Sequence, residues 1–188
     1  MSDPASKIPL MRPRLPHAAS IFPYLEEIDR NRWYSNSGPL EHLFEARLAS
    51  YFDIAESQVI CVSNCTLGLE IALRMTARYR SGYCLMPSFT FVATAHAAVS
   101  AGLEPYFLDV DRNTWALDPD AIQDRLSKIE GQIAAVMPVA PFGASSDLGR
   151  WTAFARKTGI PVVLDAAASF DKAGGNRIPL VLSLHATK

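Results

Sequence analysis

The sequence has few of the features that mark specialised classes of protein. Only three of its 188 residues are cysteine, and this odd, small number argues against a disulfide framework. Cys61, Cys65 and Cys84 lie in apolar surroundings, which favours reduced, buried thiols. The four histidines show no spacing that would complete a zinc site with them, so we expect no bound metal.

Long apolar runs and an excess of charge are also missing. The longest nearly unbroken apolar run, residues 133–142, contains two prolines and is too short to span a bilayer. The first thirty residues hold no continuous apolar segment of the kind a signal peptide needs. Eighteen basic and 19 acidic residues give a net charge of −1, so the chain lacks the excess of positive charge that is typical of proteins that bind polyanions. We therefore expect a cytoplasmic protein that binds neither a membrane nor nucleic acid.

Helix-like and strand-like patterns alternate along most of the chain. Alternation of this kind predicts βαβ units and hence an α/β fold, with a mostly parallel sheet covered by helices on both faces in three layers. The proline-rich residues 1–23 predict an extended arm, and residues 1–39 together an arm, a short helix and a loop. The predicted helices are 24–32, 40–52, 67–79, 92–101, a helix capped by Asp118, and 147–158. The predicted strands are 58–62, 84–86, 105–110, 133–139, 161–164 and 180–184.

Ligands of such sheets bind beyond the carboxyl ends of the strands, so the loops there are the places to look for chemistry. In the loop 63–66, Thr66 and the first turn of a helix offer a hydroxyl and backbone N–H groups, which suit either a phosphate or a plain helix cap. In the loop 87–91, Phe89 and Phe91 could stack on a flat ring or belong to the core.

Two charged residues follow later strands. Asp165 ends the apolar run 161–164, where a buried carboxylate needs a partner such as a cationic ring nitrogen, unless it serves as a helix cap or structural acceptor. Lys188 follows the apolar run 180–184, where desolvation would favour Schiff-base chemistry, although a lysine at a chain end is more often a solvated surface residue.

Together these loops resemble those of the nucleotide-sugar aminotransferases, also called the DegT/StrS family, which are fold-type-I enzymes dependent on pyridoxal phosphate (PLP). The similarity covers about residues 14–188, and the matching segments occur in the family's order. These segments are Asn-Ser-Gly-Pro at 36–39, Ser-Asn-Cys-Thr at 63–66, Pro-Ser-Phe-Thr-Phe at 87–91, Asp-Ala-Ala at 165–167 and Ser-Leu-His-Ala-Thr-Lys at 183–188.

The resemblance implies a role for each residue of the site. Lys188 would form the Schiff base with PLP and move protons, and Asp165 would pair with the pyridine nitrogen. Phe91 would stack on the ring. The phosphate would be held by Cys65, Thr66 and Ser183. The family usually has glycine at the position of Cys65 and glutamine or histidine at that of Ala168, so two contacts would differ here.

The resemblance also implies a function and an assembly. The enzyme would transfer an amino group from an amino acid such as glutamate to a nucleotide-linked keto-sugar, and would work as a homodimer. Residues 40–188 would be the incomplete PLP-binding large domain, with the rest of that domain and the small domain absent. Two alternatives stay open: a PLP-dependent sugar dehydratase, and a truncated, inactive fragment that acts as a binding or dimerising module.

Overall fold

The structure is a computed structural model that describes residues 13–170 and 178–187. Within these residues the chain forms six α-helices and five β-strands, joined by short 3-10 turns. The helices are α1 (Ala18–Asn31), α2 (Pro39–Phe52), α3 (Cys65–Thr76), α4 (Val92–Ser100), α5 (Pro119–Gln123) and α6 (Leu148–Thr158). The strands are β1 (Tyr83–Pro87), β2 (Glu104–Leu108), β3 (Ile133–Val136), β4 (Leu164–Asp165) and β5 (Leu180–Val181).

The strands pair in parallel in two hydrogen-bonded groups, β2-β1-β3 and β4-β5. Two isolated parallel bridges, Val136 with Val162 and Val139 with Asp165, connect the two groups. The spatial order is therefore β2-β1-β3-β4-β5, and all the carboxyl ends lie along one edge. This confirms the predicted mostly parallel α/β architecture.

Side chains of the sheet alternate between two cores, one on each face. Cys84 and Met86 of β1 pack with α3 and α4 on the first face. Leu85, which lies between them in sequence, packs on the second face with Trp151 and Phe154 of α6. Because a strand directs successive side chains to opposite faces, the two cores make the sheet the middle of three layers, as predicted.

The predicted strand at 58–62 is wrong for the residues that the structure describes. Gln58 ends a 3-10 turn, and the following residues pair with no strand. The N–H of Cys61 instead donates to Glu45 Oε1 of α2 at 2.7 Å, while Ile60 is 79% exposed. The apolar pattern of this segment is real, but a strand exists only where a neighbouring backbone accepts its hydrogen bonds.

The first helix begins earlier than predicted. α1 starts at Ala18, whereas the sequence predicts an arm as far as residue 23 and a helix from residue 24. Pro23, the last residue of the predicted arm, lies inside the helix. Residues 1–12 of the predicted arm lie outside the described residues.

Candidate active site

Asp165 lies at the carboxyl end of β4, between β3 and β5, and is only 5% exposed. Its backbone is fixed by neighbouring strands, since its N–H donates to Pro138 O and its carbonyl accepts from the N–H of Ala140, both at 3.0 Å. Its side chain is fixed by two more hydrogen bonds. Oδ2 accepts from the hydroxyl of Thr94 at 2.7 Å, and Oδ1 accepts from the N–H of Ala167 at 3.1 Å.

No cation neutralises this carboxylate within the described part of the chain. The ion pairs found there all involve other acidic residues. A buried carboxylate costs several kcal/mol in solvation unless it is paired, and two neutral donors recover only part of that cost. The arrangement therefore fits a cationic partner that is not one of the described side chains.

Sequence analysis missed the threonines beside Asp165. Thr94 is completely buried in α4, and the oxygen of its hydroxyl lies 2.6 Å from that of Thr90. The available signal was Thr94 itself, a hydroxyl-bearing residue on the side of the helix that it shares with the buried Ala97 and Ala98. A buried hydroxyl needs a hydrogen-bond partner, although the sequence does not say which.

The first turn of α3 comes close to the end of β5. Gly68 is buried there, and a Cβ added to it would lie 2.8 Å from Val181 Cγ1. Any larger residue would therefore push the helix away from β5. Val181 in turn pairs with Asp165 in the sheet, which brings the start of α3 to the same edge as the buried carboxylate.

The first turn of α3 is compatible with both predicted roles, a plain helix cap and a phosphate site, and the phosphate site stays a prediction. The Asn64 side chain caps α3 by accepting from the N–H of Leu67 at 2.9 Å. The N–H of Thr66 has no acceptor within its own helix, because the first turn of a helix never supplies one. Thr66 and Cys65 are both half-buried, and the positive end of the helix dipole is directed toward the sheet edge.

The other predicted residues lie in two further loops. Ser183, two residues beyond Val181, is half-buried, and its hydroxyl accepts from the N–H of His185 at 3.3 Å. Lys188 lies outside the described residues, so its predicted position stays a prediction. Phe91 caps α4 and is 71% exposed, and its carbonyl accepts from the N–H of Thr94. The ring of Phe91 therefore lies outside the core. Phe91 is three residues before Thr94, the threonine that contacts Asp165.

Three exposed aromatic rings lie farther along the same edge. Phe89 follows β1, Trp115 follows β2 and Phe142 follows β3, and the centroids of the three rings are 5.2–6.2 Å apart. Phe142 is 83% exposed and Trp115 50%. Both have positive φ angles, of 49° and 60°, which are uncommon for bulky residues and tend to mark functional loops. Phe89, for which the sequence predicts either stacking on a flat ring or a place in the core, thus belongs to an exposed cluster.

The cysteines form no disulfide, and only Cys84 is fully buried. Burial raises the pKa of the Cys84 thiol to about 12. The pKa of Cys61 is raised to about 11, first by burial and then by the negative charges of Glu45 and Glu41. Both thiols are therefore protonated and unreactive at neutral pH. No three His, Cys, Asp or Glu side chains in residues 13–170 and 178–187 lie close enough to share a metal ion.

Comparison with known sequences identifies the family. The profile of the DegT/DnrJ/EryC1/StrS aminotransferase family matches residues 17–178, most of the chain. The chain belongs to this family. The predicted family membership is therefore confirmed, and the family's cofactor is PLP.

Individual relatives agree with this family assignment. Protein Rv3402c of Mycobacterium tuberculosis is 34% identical over 97% of this chain and 46% of its own length. The dTDP-4-amino-4,6-dideoxy-D-glucose transaminase of Escherichia coli is 29% identical over 87% of this chain and 42% of its own length. The crystal structure of DesI in the presence of its TDP-sugar product superposes with a TM-score of 0.78 and 32% identity, over 94% of this chain and 45% of DesI. The chain thus spans less than half the length of these relatives.

The residues at this edge of the DegT-type chain fit PLP chemically. A buried carboxylate without a cationic partner among the described residues suits a protonated pyridine nitrogen, and the N-terminal turn of α3 suits a phosphate. The exposed ring of Phe91 suits stacking on a flat heterocycle.

No helix in the described residues is long and apolar enough to cross a membrane.

Proposed function

We propose that this chain carries the PLP-binding part of an aminotransferase that moves an amino group from an amino acid, such as glutamate, to a nucleotide-linked keto-sugar. The observation that carries the proposal is the environment of Asp165, a carboxylate that is 5% exposed and has neutral donors but no cation among the described residues. The family assignment supports PLP as the source of that cation.

Each site residue has a role toward the cofactor. Asp165 would accept a hydrogen bond from the pyridine nitrogen and keep that nitrogen protonated, and Phe91 would stack on the ring. The phosphate would be held by Cys65 and Thr66 at the start of α3 and by Ser183 after β5. Bound PLP supplies an electron sink for the reaction. Lys188 would attach the cofactor and then carry protons on its Nζ atom.

The aromatic cluster supports the sugar-nucleotide part of the proposal. Exposed aromatic rings at the carboxyl edge of a sheet can stack on the planar base of a nucleotide or on the apolar face of a sugar. Relatives named as acting on dTDP- and UDP-linked sugars point in the same direction. A sugar dehydratase is the weaker alternative, since we expect histidine in place of Lys188 in such enzymes.

The first experiment asks whether the cofactor binds and where it attaches. The chain is incubated with PLP, reduced with borohydride to fix any lysine linkage, digested and mapped by mass spectrometry. The proposal expects the added mass on Lys188 and no linkage at this position in Lys188→Ala. Amine transfer from glutamate to nucleotide-linked keto-sugars then distinguishes an aminotransferase from a dehydratase. A folded chain that binds no PLP would favour the non-enzymatic module.

We also propose a homodimer. α1 has an apolar face, but none of its residues is buried, and Phe22 and Leu25 are 58% and 51% exposed. Apolar side chains exposed together on one helix commonly mark a surface that a partner covers. Sedimentation velocity of the chain and of Phe22→Asp tests this: we expect a dimer that the substitution weakens, and a monomer at all concentrations would contradict it.

A further inference from the structure

Thr94 is a buried polar residue that family membership alone does not explain. It has no exposed surface, and it shares the inner side of α4 with Ala97 and Ala98. A buried hydroxyl is costly unless it is hydrogen-bonded, and here its acceptor is a carboxylate 71 residues away in sequence. The contact therefore links the helix after β1 to the end of β4.

The direction of the hydrogen bonds follows from the number of hydrogens. The hydroxyl of Thr94 has a single hydrogen, which it donates to Asp165 Oδ2 at 2.7 Å, since a carboxylate can only accept. The 2.6 Å contact between the two threonines must then run from Thr90 to Thr94. The other acceptor near Thr90, the carbonyl of Phe91, is more distant at 3.4 Å. The two hydrogen bonds thus run in the same direction, from Thr90 to Thr94 and from Thr94 to Asp165, and each bond strengthens the other.

We propose that Thr94 is a positioning residue that fixes the orientation of the Asp165 carboxylate toward the ring nitrogen of PLP, with Thr90 supporting it. The inference rests on the proposed function. Thr94 on Oδ2 and the N–H of Ala167 on Oδ1 together determine the plane of the carboxylate. The remaining lone pairs of Asp165 then have fixed directions before any ligand arrives, so binding the cofactor requires no reordering of this side chain.

The test compares PLP affinity and spectrum in Thr94→Val and Thr94→Ser. Valine keeps the shape and removes the hydroxyl, whereas serine keeps the hydroxyl. Thr76→Val is the matched control, because the Thr76 hydroxyl donates to a carbonyl of its own helix, Ala72 O, at the far end of α3 from the site. Affinity is followed by the quenching of tryptophan fluorescence, and the state of the ring by the pH profile of bound-cofactor absorbance. Urea unfolding of each cofactor-free variant reports its stability.

We expect Thr94→Val to weaken PLP binding by about tenfold or more, the usual effect of losing one hydrogen bond to a charged group. The pH profile of absorbance should shift in the same variant, Thr94→Ser should restore both readouts, and Thr76→Val should change neither. In an Asp165→Asn background, Thr94→Val should alter affinity by no more than about twofold, because the charged partner that Thr94 orients toward the ring nitrogen is already absent.

A purely structural role for Thr94 would lower the stability of Thr94→Val and leave affinity and pH profile as in wild type, and this result would overturn the inference. If Thr94→Val does not fold, Thr90→Val takes its place, since it removes the supporting hydroxyl at a half-buried position. Unchanged affinity and pH profile there would also overturn it. Failure of the wild-type chain to bind PLP would instead show that the proposed function is wrong.

Discussion

Asp165 and Asp118 are both aspartates held by backbone N–H groups, yet their surroundings differ in every other respect. Asp165 is buried, and its second partner is the hydroxyl of Thr94. Asp118 caps α5 at the surface, where it accepts from the N–H groups of Asp120 and Ala121 and from the guanidinium of Arg150 at 2.8 Å. The half-buried Asp118 has its cation within the chain, and the buried Asp165 has none among the described residues.

We interpret this difference as one between a charge that stabilises the fold, Asp118, and a charge that is proposed to bind a ligand, Asp165. Burial alone would raise the pKa of Asp118, but hydrogen bonds from Arg150 and two backbone N–H groups outweigh it and keep that pKa below its usual value. Such a site is complete as it stands. The carboxylate of Asp165 is costly to bury, and we propose that it gains its full stabilisation only when the cationic ring of the cofactor binds.

The largest effect is expected from Asp165→Asn. The amide removes the buried charge and can still accept from Thr94, so the free energy of unfolding of the cofactor-free chain should fall by no more than about 1 kcal/mol. PLP affinity should fall at least about a hundredfold, because the ring nitrogen loses its charged partner. Urea unfolding and fluorescence titration measure the two quantities. A large loss of stability with unchanged PLP affinity would show that Asp165 stabilises the fold and does not bind the cofactor.

A smaller effect is expected from Asp118→Ala, which should lower the stability of the chain and leave its affinity for PLP unchanged. The substitution removes the cap of α5 and the ion pair to Arg150, so the free energy of unfolding should fall by about 1–2 kcal/mol. Affinity for PLP should stay at the wild-type value, measured in the same titration. Weakened cofactor binding without a change in stability would remove the contrast between the two aspartates.

The smallest effect is expected from Arg150→Met and depends on pH. Because the folded state lowers the pKa of Asp118, the stabilisation is present above the unfolded pKa of about 4 and is lost as pH falls through the lower folded value. The variant should be less stable than wild type by about 0.5–1 kcal/mol at pH 7, since the pair is partly exposed. The difference should shrink as the pH falls below the unfolded pKa and through the lower folded pKa of Asp118, as followed by urea unfolding at several pH values. A difference that is constant with pH would contradict the assignment.

The sequence predicted the repeating parts of the fold better than the contacts within the site. The apolar runs of β1 to β3 identified the sheet, and Asp118 followed by Pro119 marked the start of α5 correctly. Local patterns report the periodicity and capping of an element, and these are decided within a few residues.

What the sequence could not show depends on distant partners. The segment 58–62 has the pattern of a strand, but whether it becomes one depends on a neighbouring backbone. The bond from Thr94 to Asp165 joins residues 71 positions apart, and only the packing of α4 against the sheet brings them together. The close approach of Gly68 to Val181 is likewise a property of the folded chain and not of either segment.

The pairing of the buried Asp165 carboxylate with a protonated pyridine nitrogen can be observed by ¹⁵N NMR of the chain loaded with PLP labelled at the ring nitrogen. We expect the chemical shift of a protonated, hydrogen-bonded nitrogen that persists to alkaline pH in the wild-type chain and disappears in Asp165→Asn. An unprotonated nitrogen in bound wild type, or the same protonated signal in both proteins, would show that Asp165 does not pair with the ring nitrogen.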